Sequence, residues 1–147
     1  MLRLNKIEIT AYSHATEDED KVLTALFNLI PKEIRDNIKL FKQRVKGHYG
    51  NDITILRATI PSKIAVSVLK YIAENMNDVE KSVLRASLRL RYDERNNKLY
   101  LRFDKQSLYS GKIVVSDSND IVHLVVSFSG RGGFKEVQEL LRNIGLI

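Results

Sequence analysis

The chain has 147 residues, of which 44% are hydrophobic and 29% are charged, and it contains no cysteine. We expect one folded domain over residues 1–147, because this length buries a core without disulfides or metal. The missing cysteines exclude thiolate zinc sites and cysteine nucleophiles. The net charge of +6 favours polyanionic partners: nucleic acid, an acidic membrane or an acidic protein.

No apolar run approaches the roughly 18 to 20 residues of a membrane span, and the first ten residues lack the long apolar region of a secretory signal. We therefore expect a cytoplasmic protein that has no membrane partner.

The beginning of the chain predicts a strand followed by a helix. Apolar and polar residues alternate over residues 5–13, as in a half-buried strand. Thr16 and Glu19 form a capping box, which predicts a helix over residues 17–30.

The middle of the chain predicts a hairpin and two helices. Strands over residues 38–46 and 53–60 flank a glycine-containing loop, and Pro61 opens the next helix. Residues 79–92 fit both a helix and a strand, and we predict a helix whose apolar stripe is formed by Val79, Val83, Ala86 and Leu90.

The end of the chain predicts one clear strand over residues 99–103 and a second hairpin. The strands of that hairpin cover residues 113–116 and 121–128, and a last helix follows from Phe134 to a stop at Gly145.

Hairpins and helices interleave without strict βαβ alternation, which predicts the α+β class. We expect a two-layer single domain with a largely antiparallel sheet and helices packed on one face. Function would then sit on the exposed sheet face or on the hairpin loops.

The first candidate binding surface is basic and lies on the predicted hairpin. Lys42, Arg44 and Lys46 point the same way along one strand and lead to His48 and Tyr49 at the tip. This spacing suits neighbouring phosphates and one stacked base. The alternative is a solvated strand face that keeps the protein soluble.

The second candidate surface is one side of the strand over residues 99–103. Lys98, Tyr100 and Arg102 alternate with its apolar side chains, and an aromatic ring beside cations suits looped or single-stranded RNA. The alternative is the ordinary exposed side of a half-buried strand. If both basic sets form one surface, they must lie on the same side of the sheet.

Other residue patterns carry less chemistry. The segment 130–133, Gly-Arg-Gly-Gly, is either a phosphate-binding helix start or a flexible turn. His14, His48 and His123 have no metal-ligand spacing, and the carboxylates near Asp104 lie among arginines and lysines, which favours salt bridges. We expect no catalytic residue, cofactor, metal or small-molecule substrate.

Three stretches together resemble an archaeal family of predicted RNA-binding proteins, also described as exosome-associated subunits. They are Ala15 to Val22, Lys46 to Asn51 with Ile53 and Thr54, and Leu99 to Gln106 with Tyr109 and Gly111. The resemblance implies RNA binding, exosome association and a fold like that of the ribosomal protein that binds 5S rRNA.

The resemblance and the residue patterns agree at seven positions, to which we carry over the binding role. They are Lys46, His48, Tyr49, Arg102, Asp104, Lys105 and Gln106. For Asp104 and Gln106 the alternative is a structural role, since an Asp after a strand commonly shapes the turn.

We therefore expect a non-catalytic RNA-binding protein that contacts structured or looped RNA through a basic sheet face and a hairpin loop. It would serve an RNA-processing or ribosome-related complex, with exosome or other RNA-processing proteins as further partners. The alternative is an adaptor that binds an acidic protein in a larger complex.

Overall fold

The computed structural model describes all residues, 1–147, and contains one six-stranded antiparallel sheet with helices. The strands are β1 (Leu2–His14), β2 (Lys39–Lys46), β3 (Asp52–Pro61), β4 (Tyr92–Asp93), β5 (Lys98–Asp104) and β6 (Ile121–Gly130), in the order β2-β3-β1-β6-β5-β4. The helices are α1 (Glu19–Phe27), α2 (Ser62–Glu74), α3 (Asp78–Arg91), α4 (Lys105–Tyr109) and α5 (Phe134–Ile144), with a short 3-10 helix at Lys32–Asn37. The predicted α+β class is confirmed.

A β-bulge in the central strand β1 explains its apolar pattern. Leu2 and Leu4 occupy even positions, whereas Ile7 and Ile9 occupy odd positions, yet all four pack into the core. The register with β6 shifts between Leu4 and Lys6, so one extra residue in β1 switches the inward-facing positions from even to odd numbers. The whole length of β1 therefore keeps its apolar side on the same face.

The helices all lie on one face of the sheet. A single cluster of 33 buried hydrophobic residues joins the inward side chains of β1, β3, β5 and β6 to those of all five α-helices. The predicted covering of one sheet face by helices is confirmed, and the opposite face is left to solvent.

The predicted helix over residues 17–30 is shorter than expected because its cap lies further along the chain. Asp18, not Thr16, is the N-cap, and its carboxylate accepts a hydrogen bond of 2.9 Å from the backbone N–H of Asp20. The carboxylate of Glu17 accepts instead from the backbone N–H of His14 at 3.1 Å, which closes a separate turn before the helix.

The helix predicted over residues 79–92 is confirmed as α3, but its predicted apolar stripe is wrong. The core receives Leu84 and Leu88. The side chains of the predicted stripe face solvent, and they are Val79, Val83, Ala86 and Leu90. The helix therefore has two apolar sides, and sequence periodicity selected the outer one.

The second predicted hairpin is also wrong. Residues 113–116 do not pair with β6; Val115 forms an isolated bridge with Phe103 of β5, on the opposite edge of that strand. The short helix α4 was missed, because its five residues are too few to display a helical period. The other predicted strands, the first hairpin and the helix ending at Gly145 are confirmed.

None of the helices is both long enough and apolar enough to span a membrane.

Candidate nucleic-acid interface

The sheet side opposite the helices is a continuous surface, which we call the open face. Residues paired across an antiparallel sheet point to the same side, so the register defines its members. They include Lys6, Glu8, Thr10, Tyr12, His14, Lys39, Phe41, Gln43, Val45, Ile53, Ile55, Arg57, Thr59, Asp93, Lys98, Tyr100, Arg102, Asp104, Ile121, His123, Val125 and Ser127.

One row of side chains crosses the open face from β2 to β5, and we call it the central row. It consists, in order, of Phe41, Arg57, Thr10, His123 and Arg102, each directly opposite the next on the neighbouring strand. The guanidinium Nε of Arg57 donates to the hydroxyl of Thr10 at 3.3 Å. Four strand spacings give the row a length of about 20 Å, which lets it contact several nucleotides.

Aromatic rings lie in the central row and beside it, where bases could stack on them. Tyr100 lies against His123 with ring planes only 11° apart and centroids separated by 5.9 Å. Phe41 and Tyr12 are 52% and 44% exposed. Partial burial, followed by the nearby Arg102 charge, lowers the pKa of His123 below its ordinary value, so the imidazole stays neutral and stacks without a charge of its own.

Arg102 shows how the loop after α4 borders this surface. One guanidinium nitrogen donates to the backbone oxygen of Ser118 at 2.6 Å, whereas the buried Nε has no hydrogen-bond partner. Residues 116–120 therefore orient Arg102 along the open face without using all of its donors.

The expectation that both basic sets lie on the same side of the sheet is wrong. Lys42 is paired with Leu56, which is fully buried in the core, so Lys42 and its alternate neighbours point to the helix side. They remain exposed, as most of the edge strand β2 does. We call Lys42, Arg44 and Lys46 the edge set.

Ion pairs partly neutralise the edge set. Lys42 contacts Glu19 at 2.5 Å and Lys46 contacts Asp52 at 2.9 Å, and these hydrogen bonds are the main cause that lowers the pKa of both carboxyls. Arg44 is only 4.0 Å from Glu19, with 72% of its side chain exposed. Arg44 is therefore the least committed cation of the three.

Lys105 lies in a buried ionic cluster. Its ammonium donates to the backbone oxygen of Tyr12 at 2.9 Å and contacts the carboxylates of Glu17 at 3.1 Å and Asp120 at 3.0 Å. Burial raises the pKa of Asp120, but hydrogen bonds from Gln106 and Lys105 outweigh burial and hold the pKa below its ordinary value. All the donors of this ammonium thus have partners inside the chain.

Asp104 and Gln106 make contacts within the chain, as the structural alternative to RNA binding requires. The carboxylate of Asp104 caps α4 by accepting from the backbone N–H of Ser107 at 2.9 Å and from its hydroxyl at 2.6 Å. The amide of Gln106 donates to Asp120 at 3.0 Å. Both side chains fix the connection between β5 and β6.

The hairpin loop presents its aromatic residues to solvent. Tyr49 is 88% exposed, and the ring of His48 meets it edge-on at a centroid distance of 4.9 Å. The loop also brings His48 close to His14 at the end of β1, since both line one surface concavity, while His123 lies in the middle of the sheet. No group of three or more potential ligand side chains could hold a metal ion.

The segment 130–133 forms a turn whose helix start is already occupied. Glu94 accepts a hydrogen bond of 3.1 Å from the backbone N–H of Phe134, where a phosphate would otherwise dock. Gly130 has a φ of +95°, and a Cβ there would lie 2.1 Å from the backbone oxygen of Met1. The turn needs glycine for this close approach.

Sequence reasoning missed four side chains of the open face: Tyr12, Phe41, Arg57 and His123. The sequence could have indicated two of them, because Tyr12 and Arg57 each lie between buried residues of their strands. Phe41 and His123 gave no such indication, since a strand sequence alone does not reveal which of its sides is covered.

Comparisons with known proteins agree with this architecture. A family model described as RNA binding matches residues 6–128. An uncharacterized protein from Methanocaldococcus jannaschii is 36% identical over 146 residues, covering 95% of this chain and 97% of that protein. A protein from Pyrococcus abyssi named as RNA-binding is 34% identical over 128 residues, covering 84% and 80%. A crystal structure from Sulfolobus solfataricus has a TM-score of 0.79 at 27% identity, covering 96% and 97%.

The matched region contains β2 to β5 in full and most of β1 and β6, so it includes part of every strand of the sheet. The relatives cover nearly the full length of the chain, so the similarity concerns the whole fold. The chain belongs to the RNA-binding family.

Proposed function

We propose that this protein binds looped or single-stranded segments of structured RNA, without catalysis, through the open face and the hairpin loop. The observation that carries the proposal is the central row, with Tyr100 beside it, on a sheet face that no helix covers. A polar, aromatic sheet face in a protein of an RNA-binding family supports a role in binding RNA.

The chemistry of the open face suits unpaired bases better than duplex. Bases of a loop splay out and stack on aromatic or guanidinium planes, whereas the bases of a duplex are hidden in a deep, narrow groove. Phe41, Tyr12 and Tyr100 supply rings, and Arg57 and Arg102 supply planar cations.

The charges of the open face favour a phosphate backbone. The cations Lys6, Lys39, Arg57, Lys98 and Arg102 share it with three carboxylates, Glu8, Asp93 and Asp104. Of these carboxylates, Glu8 lies 3.5 Å from Lys6, and Asp104 is engaged by Ser107. We propose that an RNA strand leaving this face at the hairpin tip meets His48, Tyr49 and then the edge set.

We assign Asp104, Lys105 and Gln106 a supporting role instead of direct RNA contact. Their side chains hold one another and the ends of β1 and β5 together. They position Arg102 and the open face, and they do not touch RNA themselves.

Salt titration of binding tests the proposal. Three to six phosphate contacts on single-stranded RNA give a slope of log affinity against log salt of about −2 to −4. Arg57→Gln should weaken binding about tenfold and make the slope shallower by about 0.7. The control Arg85→Gln removes an exposed arginine of α3 and should change neither quantity beyond its small effect on net charge.

Binding that is absent at low salt, or that does not respond to salt, contradicts RNA binding by this surface. If the wild-type protein shows the expected salt slope and Arg57→Gln binds RNA with unchanged affinity, the protein binds RNA but the central row is not its binding site.

One observation favours a protein partner in addition to RNA. The exposed stripe of α3, formed by Val79, Val83, Ala86 and Leu90, has the spacing of a helix-pairing seam, and Leu90 is 91% exposed. We propose that the protein acts as an accessory of an RNA-processing assembly, such as the exosome, and binds one of its proteins through this stripe. A likeness to the ribosomal protein that binds 5S rRNA stays a prediction.

A pull-down with and without nuclease separates this role from a pure RNA tether. Partners that persist after RNA digestion and disappear with Leu90→Glu support the stripe as a protein contact. Partners that vanish with the RNA contradict it, and partners that persist while pure protein binds no RNA support the adaptor alternative.

A further inference from the structure

A concavity at one end of the open face combines free polar groups with an exposed ring. It lies where β1 ends and the loop between β2 and β3 turns back, because His14 is paired with Ile53 in the sheet. Its volume is about 300 Å³, at the small end of the range for ligand pockets. The residues that matter are His14, Thr16, Gly47, His48, Tyr49 and Asn51.

The side chains around the concavity have unused hydrogen-bonding capacity. Those of His14, Thr16, His48 and Asn51 make no hydrogen bond within the chain, in contrast to the fully engaged ammonium of Lys105 nearby. An imidazole, a hydroxyl and an amide offer both donors and acceptors, as the edges of nucleobases require. Ile53 adds an apolar wall.

The backbone holds the loop in one shape without these side chains. The N–H of Gly47 donates to the backbone oxygen of Asn51 at 2.6 Å, and the N–H of Gly50 donates to that of Gly47 at 3.0 Å. Gly50 has a φ of +82°, which completes the tight turn. The polar side chains are therefore presented on a preformed frame.

The position of the concavity connects it to the rest of the proposed surface. Tyr12 precedes His14 by two residues on β1 and points to the same side of the sheet, so a strand that stacks on Tyr12 arrives at the opening. Beyond the loop, Arg44 and Lys46 have 72% and 75% of their side chains exposed, where the next phosphates would lie.

We propose that this concavity receives one unstacked nucleobase of the bound RNA, with Tyr49 as its stacking partner and His14, Thr16, His48 and Asn51 along its edge. The inference rests on the proposed function and adds a single-base subsite to it. The subsite predicts a preference for loops, because a base paired in a duplex cannot enter.

The test uses a stem–loop RNA and copies of it in which one loop nucleotide at a time is abasic, with affinity measured by fluorescence anisotropy. Ala15→Leu fills the concavity without removing a polar group or a charge. Ser67→Leu is the control, since it adds a leucine to the exposed side of α2 in the helix layer. Thermal melts establish that both variants are folded.

Removal of one particular base should weaken binding to the wild-type protein about 5- to 100-fold, the range for one lost stacking contact. Ala15→Leu should lose a similar factor on the intact RNA and should be insensitive to the abasic change, because both alterations remove the same contact. Ser67→Leu should behave as wild type.

Equal affinity for all abasic RNAs, or an abasic penalty that persists in full in Ala15→Leu, overturns the base subsite while RNA binding stands. Free mononucleotides that bind the concavity without any abasic penalty on RNA also overturn it. Absence of RNA binding by the wild-type protein overturns the proposed function itself.

Discussion

Lys105 carries its charge where water barely reaches it, since only 5% of its side chain is exposed. A buried ammonium is costly unless its donors and its charge are compensated. Here the Tyr12 backbone oxygen and the carboxylates of Glu17 and Asp120 provide that compensation and tie α4 to the ends of β1 and β6. A lysine within a stretch that resembles an RNA-binding family can thus stabilise the binding surface without being exposed on it.

We expect Lys105→Met to lower the free energy of unfolding by about 2 kcal/mol, because two carboxylates lose their partner but still reach solvent. Denaturant titration at neutral pH measures this loss. Lys21→Met, which removes an exposed lysine above the Tyr109 ring, should change stability little. Normal stability combined with lost RNA affinity would show that Lys105 is an RNA contact after all.

His123 gives the protein a pH dependence with a defined sign. Burial and Arg102 hold its pKa below the ordinary value, so the unfolded chain takes up this proton at higher pH than the native protein does. The contribution to stability is therefore complete above about pH 6.5 and decreases as the pH falls from there to the native pKa. The slope for one proton is at most about 1.4 kcal/mol per pH unit.

The comparison of His123→Gln with wild type by denaturant titration between neutral and mildly acidic pH measures this contribution. The free energy of unfolding should decrease with acid less steeply in the variant. Parallel curves for the two proteins in this window would contradict a lowered pKa at His123.

At the scale of elements, the edge strand β2 explains why the sequence predicted the fold better than the site. Alternation and capping predicted the elements with strong periods, including β1, β5, α2 and α5. Both sides of β2 are exposed at many positions, so its pattern does not indicate which side the helices cover. Only pairing with β3 reveals that Phe41 lies on the open face and Lys42 on the other.

The same limit applies to α3 and to the segment after α4. Leu84 and Val83 are adjacent in sequence and equally apolar, and only tertiary packing decides that Leu84 is buried. Val115 finds its partner on β5 because α4 returns the chain to that edge. Long-range contacts of this kind leave no periodic trace in the sequence.

The edge set leads to a prediction about the element that it faces. Glu19 on α1 pairs with Lys42 and lies near Arg44, so its carboxylate competes with RNA phosphates for both cations. We expect Glu19→Gln to raise RNA affinity about 2- to 5-fold at low salt, in line with the strength of an exposed ion pair. Anisotropy titration at two salt concentrations measures the change.

Glu139→Gln on α5 is the control for net charge, because it removes an exposed carboxylate in the helix layer that forms no ion pair. An equal gain in RNA affinity in both variants would show that the effect comes from the change in net charge alone. No gain in Glu19→Gln would exclude the edge set from RNA contact and confine binding to the open face and the hairpin loop.

At the scale of the whole molecule, the sheet separates two environments. The helix layer carries the core, while the open face carries rings and cations in register across five strands. The exposed stripe of α3 lies at the border, since Leu90 lines one concavity with Tyr100 and Arg102. A protein built in this way can hold RNA on one side and leave the other side free for an assembly. The two sides should therefore respond differently to bound RNA.

Tyr12 and Tyr109 allow a direct comparison of the two sides, because they are almost equally exposed, at 44% and 43%. Tyr12 lies on the open face, whereas Tyr109 ends α4, which packs against α1 in the helix layer. Ultraviolet crosslinking to RNA requires close contact between a ring and a base, so exposure alone does not produce it. We expect peptides crosslinked at Tyr12, Phe41, Tyr49 and Tyr100 in mass spectrometry, and none at Tyr109. Crosslinks concentrated at Tyr109 would place RNA on the helix side, around the Lys105 cluster, and would refute binding by the open face.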